Sequence, residues 1–361
     1  VDFTPDDGAA TAAGLAADVL GRTAGEEDDQ VWSALGKAGL LALPVPADLG
    51  GEGLGFAEVA AVLTELGRAA PPAVAMSGYA TLAMGVLPVD RFGSARQRAG
   101  LLADVATGAL RLTAAVHEPS APLAGVPATT ATPEAGGWTL TGVKTNVPDA
   151  ADAHRVLVPA ATYSGAELFL VDPGADGVTL TETRTSSGAP SYTMRLSGVA
   201  VGDDAVLASS SAGDAHAALR RYVLAGAVAL GAGIVAGALS LTTGHLAART
   251  QFGRPLATFQ AVAQQAADVY ITARTLRLVA DTACWKLATG READADLGVA
   301  AYWLASEAPK ALATCHHLHG GTGVDIDYPL HRFSSLCKDL THFVGGAGHR
   351  LGELGVPAGG V

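Results

Sequence analysis

Arg249-Thr250-Gln251-Phe252-Gly253-Arg254-Pro255, closed by Phe259-Gln260, is one of two stretches on which the reading of this chain turns. The other is His319-Gly320-Gly321-Thr322-Gly323, followed by Asp327-Tyr328-Pro329-Leu330. Each interrupts a helical pattern. Ahead of the first, Tyr222 to Thr243 runs 22 residues without a charge and is mostly Ala, Gly, Val and Leu. Membrane insertion depends on Leu, Ile and Phe more than on Ala and Gly, so the segment reads as a helix buried in a soluble bundle. Its Gly231-Ala232-Gly233-Ile234-Val235-Ala236-Gly237 resembles a glycine-rich dinucleotide turn, but no strand precedes it, and close helix packing explains it better. After the first stretch, Phe259, Val262, Ala266, Val269, Ala273 and Leu276 recur at spacings of three and four, one buried stripe. Four helical segments are expected from Asp214, read as a cap, to about Gly352, with Pro309 kinking or splitting the third.

Upstream, the first third also reads as helical. Thr4 is placed to cap a helix, Pro5 suits its first position, and Asp6 and Asp7 complement its dipole. Phe56 to Ala69 is amphipathic and follows a turn-rich stretch, Pro44-Val45-Pro46 with Gly50-Gly51-Glu52-Gly53. From Arg111 the pattern changes to short Val-, Leu- and Thr-rich segments: 111–117, 129–132, 138–143, 155–158, 167–171, 178–185 and 192–201. A hairpin turn is expected over Pro133-Glu134-Ala135-Gly136-Gly137. Strands without intervening helices predict an antiparallel barrel or sandwich. Ser209-Ser210-Ser211-Ala212-Gly213 reads as a linker. The expected fold class is α+β, mostly α: an N-terminal helical domain (1–110), a middle β-barrel domain (111–208) and a C-terminal four-helix-bundle domain (209–361).

A net charge of -12 and a pI near 5.2 argue against a nucleic-acid partner, which needs a basic face. Cys284, Cys315 and Cys337 are too few and too far apart for a disulfide framework or a zinc knuckle, which suggests a reduced, cytoplasmic setting. The N-terminus has neither the basic nor the apolar region of a signal peptide. His316, His317 and His319 lie beside Cys315, but no second cluster joins them, so no metal is expected.

The order of elements and the two opening stretches resemble the acyl-CoA dehydrogenase family over nearly the whole chain. Trp32, Leu35, Gly39, Pro46, Gly50, Gly51 and Gly53 match the family's W-x-x-L-x-x-x-G and P-x-x-x-GG-x-G pattern. The resemblance implies FAD as cofactor, with its pyrophosphate and adenosine near Arg249, Gln251, Phe252, Phe259, Gln260, His319, Gly320 and Gly321. Arg249 would offer a bidentate guanidinium, Gln251 a hydrogen bond and Phe252 an apolar wall. Gly320 and Gly321 would let backbone N–H groups approach closely. In the family this half of the site embraces the FAD of a neighbouring subunit, which implies a dimer-based oligomer. Either stretch alone also fits a plain helix end, with Arg249 as a C-terminal cation and the glycines as a turn.

The catalytic part departs from that pattern. The family removes the α-proton of an acyl-CoA with a glutamate while a hydride leaves the β-carbon, so a carboxylate must lie within hydrogen-bond reach. Of its two usual positions, one falls in Leu219 to Gly226 and holds Arg220; the other falls in Phe343 to Gly348 and holds Gly345 and Gly346. Arginine is no base at neutral pH. Asp339 and Glu353 are the nearby acids, but one or two helical turns displace a side chain by ~5–10 Å. The flavin loop T-E-P-x-A-G-S-D of the family reads Val116-His117-Glu118-Pro119-Ser120-Ala121-Pro122-Leu123 here, and Pro122 removes a backbone donor. The K-x-W-I-T-N loop reads Lys144-Thr145-Asn146-Val147-Pro148-Asp149, without its tryptophan. Catalytic residues are therefore expected to be absent. The chain's ending resembles the shorter, base-lacking subunit of actinobacterial α2β2 steroid side-chain acyl-CoA dehydrogenases. That implies a heterotetramer whose other subunit supplies the glutamate, a steroid-CoA substrate, and electron-transferring flavoprotein as acceptor. Two alternatives stay open: a self-sufficient homo-oligomer with Asp339 or Glu353 as displaced base, and a cofactor-free acyl-CoA-binding scaffold.

Overall fold

In the N-terminal third, small and branched apolar residues build a helical layer: α1 (Asp7–Arg22), α2 (Asp28–Lys37), α3 (Phe56–Ala69), α4 (Pro72–Tyr79), a π-helical stretch (Ala80–Val86), α5 (Leu87–Phe92) and α6 (Ala95–Ala106). The computed structural model describes residues 7–208, 211 and 213–355. The cap expected at Thr4 to Asp6, and Ser209, Ser210 and Ala212 of the linker, lie outside the described residues. α3 covers the span its amphipathic pattern predicts, and its start is held by Glu58, which accepts from the Gly55 amide at 3.0 Å.

The middle third folds into β1 (Leu112–Ala114), β2 (Thr130–Glu134), β3 (Gly137–Pro148), β4 (Arg155–Thr162), β5 (Gly165–Val171), β6 (Val178–Glu182), β7 (Ser191–Gly202) and β8 (Val206–Leu207). The order β6-β7-β3-β2-β4-β5-β8 wraps an apolar core of its own that includes Leu140, Val156, Phe169, Met194 and Val199. The sheet is not wholly antiparallel as expected: β1 runs parallel to β4, and β2 meets β4 in parallel at Thr130 and Ala161. Parallel neighbours need a long connection, and the chain between Ala114 and Arg155 supplies it for the first pair. The hairpin turn is also tighter than expected. Glu134 pairs with Gly137, so only Ala135 and Gly136 turn the chain.

The rest is α7 (Asp214–Ala248), a two-residue hairpin of β9 (Thr250–Gln251) and β10 (Arg254–Pro255), then α8 (Gln260–Ala288), α9 (Asp294–His319), α10 (Leu330–Phe343) and α11 (Gly346–Gly355). α7 contains the uncharged stretch and is mostly buried inside the protein. Its Gly233 packs on the Thr64 carbonyl and its Gly237 on the Arg68 carbonyl, so α3 and α7 touch backbone to backbone. The Tyr79 hydroxyl donates to the Val223 carbonyl at 2.7 Å and ties the same two layers together.

Three expectations change here. Gly213, not Asp214, occupies the cap of α7, with a left-handed φ of +90°. α9 runs through Pro309 unbroken, because Leu304, Ala308 and Leu312 are buried on either side and packing outweighs the lost N–H. The bundle also gains a fifth helix. Gly345 and Gly346 take left-handed φ values of +92° and +78° and separate α11 from α10.

Candidate cofactor and active site

The two stretches that open the sequence analysis meet at one end of the bundle. α7 ends at Ala248, and the following hairpin pairs Gln251 with Arg254. Phe252 sits at its tip with φ +51° and is 91% exposed. Its ring meets Phe259 edge-on at 6.1 Å, and the Arg254 guanidinium lies 4.1 Å from the Phe259 ring centre. α9 ends at His319, whose ring stacks on His245 at 4.4 Å, one turn before Arg249. That stack brings Arg249 and the Gly320-Gly321 turn to the same end. The Cys315 carbonyl can only accept, so His319 Nδ1 donates to it (2.7 Å) and Nε2 accepts from the Tyr328 hydroxyl (3.0 Å). His319 is buried and acts as a latch between the two stretches.

Arg249, Gln251, Gln260, Gly320 and Gly321 all face solvent. A Cβ added at Gly320 or Gly321 would meet nothing within 4 Å. A guanidinium, side-chain amides, open backbone and an aromatic wall are suited to an anion and a flat ring, but this chain puts nothing opposite them. The sequence pattern does not flag His245 or Tyr328. The only signal is position: His245 lies four residues before Arg249, and Tyr328 lies within the second stretch.

The β-domain side is filled instead. The Thr145 amide donates to the His117 carbonyl at 3.0 Å and joins the two altered loops. Beside that contact, Lys144 donates to Glu118 at 2.8 Å, with side chains 1% and 4% exposed. Glu118 also accepts from the Ala128 and Thr129 amides at 2.6 and 2.7 Å. Burial pushes the Glu118 carboxyl up, but the ammonium and the amides outweigh it and hold it at about 2. His117 is buried against Phe343 (ring centres 4.4 Å apart), and burial together with neighbouring cations takes it down to about 3. Sequence reasoning treated these loops as lost family residues, so this buried pair was not foreseen.

Neither position where a base was sought holds an acid. A Cβ at Gly345 would lie 2.6 Å from His349 Cδ2 and 3.0 Å from Pro122 Cγ, so a side chain there would have to push both aside from a left-handed backbone. Gly346 has open space around it but points from the same left-handed turn. Arg220 Nη2 lies 3.8 Å from Glu353 Oε2. Asp339 accepts from the Ser186 and Ser187 amides at 2.7 and 2.8 Å, so both of its oxygens pin α10 to that loop. The exposed groups at the bundle end thus fit the chemistry of FAD, an anionic pyrophosphate joined to flat rings, whereas at the β-domain face Pro122 lies against Gly345.

A family model of the acyl-CoA dehydrogenase N-terminal domain matches residues 10–109, and one of the C-terminal domain matches residues 218–347. Acyl-CoA dehydrogenase FadE28 of Mycobacterium tuberculosis is 47% identical over 331 residues, covering 91% of this chain and 92% of the relative. Among solved structures, the ChsE4-ChsE5 complex from Mycobacterium tuberculosis matches with a TM-score of 0.89 at 31% identity, covering 98% of both chains. The Tcur3481-Tcur3483 steroid ACAD matches with a TM-score of 0.86 at 33% identity and the same coverage. The chain belongs to the acyl-CoA dehydrogenase family and has its mostly helical fold with a central sheet. The family is one of FAD-dependent oxidoreductases, and FAD is its cofactor.

Proposed function

We propose that this chain is a base-lacking subunit of a heteromeric acyl-CoA dehydrogenase, lending its bundle end to the FAD of a second, glutamate-bearing subunit. The observation that carries this reading is the asymmetry of the chain. Its bundle end is exposed, while the positions expected to hold a base carry Arg220, 3.8 Å from Glu353, and Gly345, packed against His349 and Pro122. Arg249 would neutralise pyrophosphate charge, Gln251 and Gln260 would hydrogen-bond beside it, and Phe252 and Phe259 would cover a ring face. Gly320 and Gly321 would present backbone N–H groups, held in place by the His319 latch. When bound, FAD supplies the acceptor for the hydride from the β-carbon; the α-proton goes to the other subunit's carboxylate.

Two of the matched structures are named as pairs of different chains, and one is named a steroid ACAD. They support an α2β2 assembly acting on a steroid side-chain CoA thioester. Electron-transferring flavoprotein as acceptor and a cytoplasmic setting complete the proposal.

The test is to express this chain alone and together with a glutamate-bearing dehydrogenase subunit, then measure flavin absorbance per purified chain. A colourless chain that yields a yellow complex, with one FAD per pair, is expected. A chain that is yellow alone and bleaches with an acyl-CoA would establish a self-sufficient homo-oligomer. A colourless chain indifferent to any partner would indicate a cofactor-free scaffold.

A further inference from the structure

Between the N-terminal layer and the bundle, α1, α3, α7 and α8 enclose a cavity of about 430 Å³. Its wall is mostly alanine, Ala57, Ala61, Ala229 and Ala280 among them, with Cys284 and Trp285. The polar residues of that wall already have partners. Glu58 accepts from the Gly55 amide at 3.0 Å, Thr64 donates to the Ala60 carbonyl at 2.8 Å, and Thr289 donates to the Trp285 carbonyl at 2.8 Å. Glu65 pairs with Arg68 at 3.1 Å and Asp281 with Arg277 at 2.7 Å. What the chamber offers an occupant is therefore apolar surface. Ala232, Arg277 and Asp281 also line an adjoining cavity of about 560 Å³ between α7 and α8. Its charge is different: Arg68, Arg274 and Arg277 line it against the single carboxylate of Asp281. Arg68 and Arg277 commit only Nε to their carboxylates, and Arg274 has no partner among the described residues. The forked ends of three guanidiniums are thus free to accept an anion. Ala232 lies about 25 Å along α7 from Arg249 at ~1.5 Å per residue, so the chamber is separate from the FAD-facing end.

We propose that the two joined cavities bind a free apolar carboxylic acid of the fatty-acid class, its tail in the alanine-lined chamber and its carboxylate at Arg274 and Arg277. A carboxylate matches the guanidinium fork with two parallel hydrogen bonds, and the chamber removes the tail from water. The small side chains of α3, α7 and α8 leave the room, and the arginines at its mouth select the sign of the head group. This site does not rest on the subunit role proposed above.

The test is isothermal titration of the purified protein, alone and in its complex, with dodecanoate below its micelle concentration. One dodecanoate per chain should bind in both settings. Arg274→Gln and Arg277→Gln should each weaken it by about tenfold or more, as loss of a charge-assisted contact requires. Ala61→Phe, which fills the chamber from a half-buried position, should abolish it. If Ala61→Phe does not fold, the two arginine variants, which change exposed or half-exposed side chains, carry the test. Dodecyltrimethylammonium, with the same tail and the opposite charge, should not bind. No uptake of dodecanoate, unchanged affinity in both arginine variants, or equal uptake of the cationic probe overturns the proposal. So does tighter uptake of dodecyl phosphate, which would assign the groove to a phosphate head group, or binding lost in the complex, which would make the groove a face that the partner covers.

Discussion

Lys144→Met is the sharpest probe of how the altered β-domain loops are held. It leaves Glu118 buried at 4% exposure with only the Ala128 and Thr129 amides for partners. Removing one member of a buried ion pair costs about 3–5 kcal/mol, because the remaining charge is uncompensated. The depressed Glu118 carboxyl points the same way: the neighbouring ammonium favours its ionised form in the folded protein. Urea unfolding at pH 7 should therefore show a loss of about 3–5 kcal/mol. The loss should shrink towards pH 5, since Glu118 without its lysine is pushed up by burial and takes a proton. The double variant Glu118→Gln with Lys144→Met removes the uncompensated charge but keeps an acceptor for only one of the two amides, which reach different carboxylate oxygens, so it should recover part of the stability. A single variant within ~1 kcal/mol of wild type, or a double variant no better than the single, would refute the reasoning.

Acid should weaken the fold before carboxylates protonate. His117 and His216 lie at about 3 and about 4 against an ordinary 6.5, both chiefly through burial. A depressed folded pKa means stability that is whole above 6.5 and lost as pH falls through 4 and 3, so the melting temperature should decline steadily below pH 6.5; a flat profile down to pH 4 would count against this. Gly233→Val drives a side chain into the Thr64 carbonyl where α3 crosses α7, and should cost more than ~3 kcal/mol or abolish soluble protein, read by expression and urea unfolding. Phe252→Ser removes a ring that is 91% exposed, so unfolding of the chain should move by less than ~0.5 kcal/mol while flavin content of the complex falls; unchanged flavin would remove Phe252 from the site.

The helical and β layers were legible because their signals are local. α3 starts and ends where its amphipathic pattern does, and the strand segments reappear as β1 to β7 with shifted ends. What was not legible depends on partners distant in sequence. Pro309 looks like a break until the buried neighbours that hold α9 straight are known. The parallel pairing of β1 with β4 follows from a connection of some forty residues that no turn signal encodes. At the site, Arg249 and Gly320 can be picked out by residue type, but the His245–His319–Tyr328 latch that unites them is a tertiary fact. Glu118 and Lys144 are 26 positions apart, and nothing in either loop announces that they pair.

Placing a carboxylate where a base was sought would take more than one exchanged residue. A glutamate at 345 would need a left-handed backbone that side chains adopt only at a cost of about 1–3 kcal/mol. It would also have to displace both Pro122 and His349. Clearing Pro122 would strain a loop anchored by the Glu118–Lys144 pair and by the Thr145–His117 hydrogen bond. Recruiting Asp339 would release the Ser186 and Ser187 amides, and recruiting Glu353 would strip Arg220 of its nearest acid. Each of these three routes removes a contact that the fold now uses. The bundle end is held more loosely: Phe252, Gln251 and the Gly320-Gly321 turn are exposed, and a Cβ at Gly320 or Gly321 would meet nothing within 4 Å among the described residues. The proposed subunit role rests on that contrast between a tightly held β-domain face and an open bundle end.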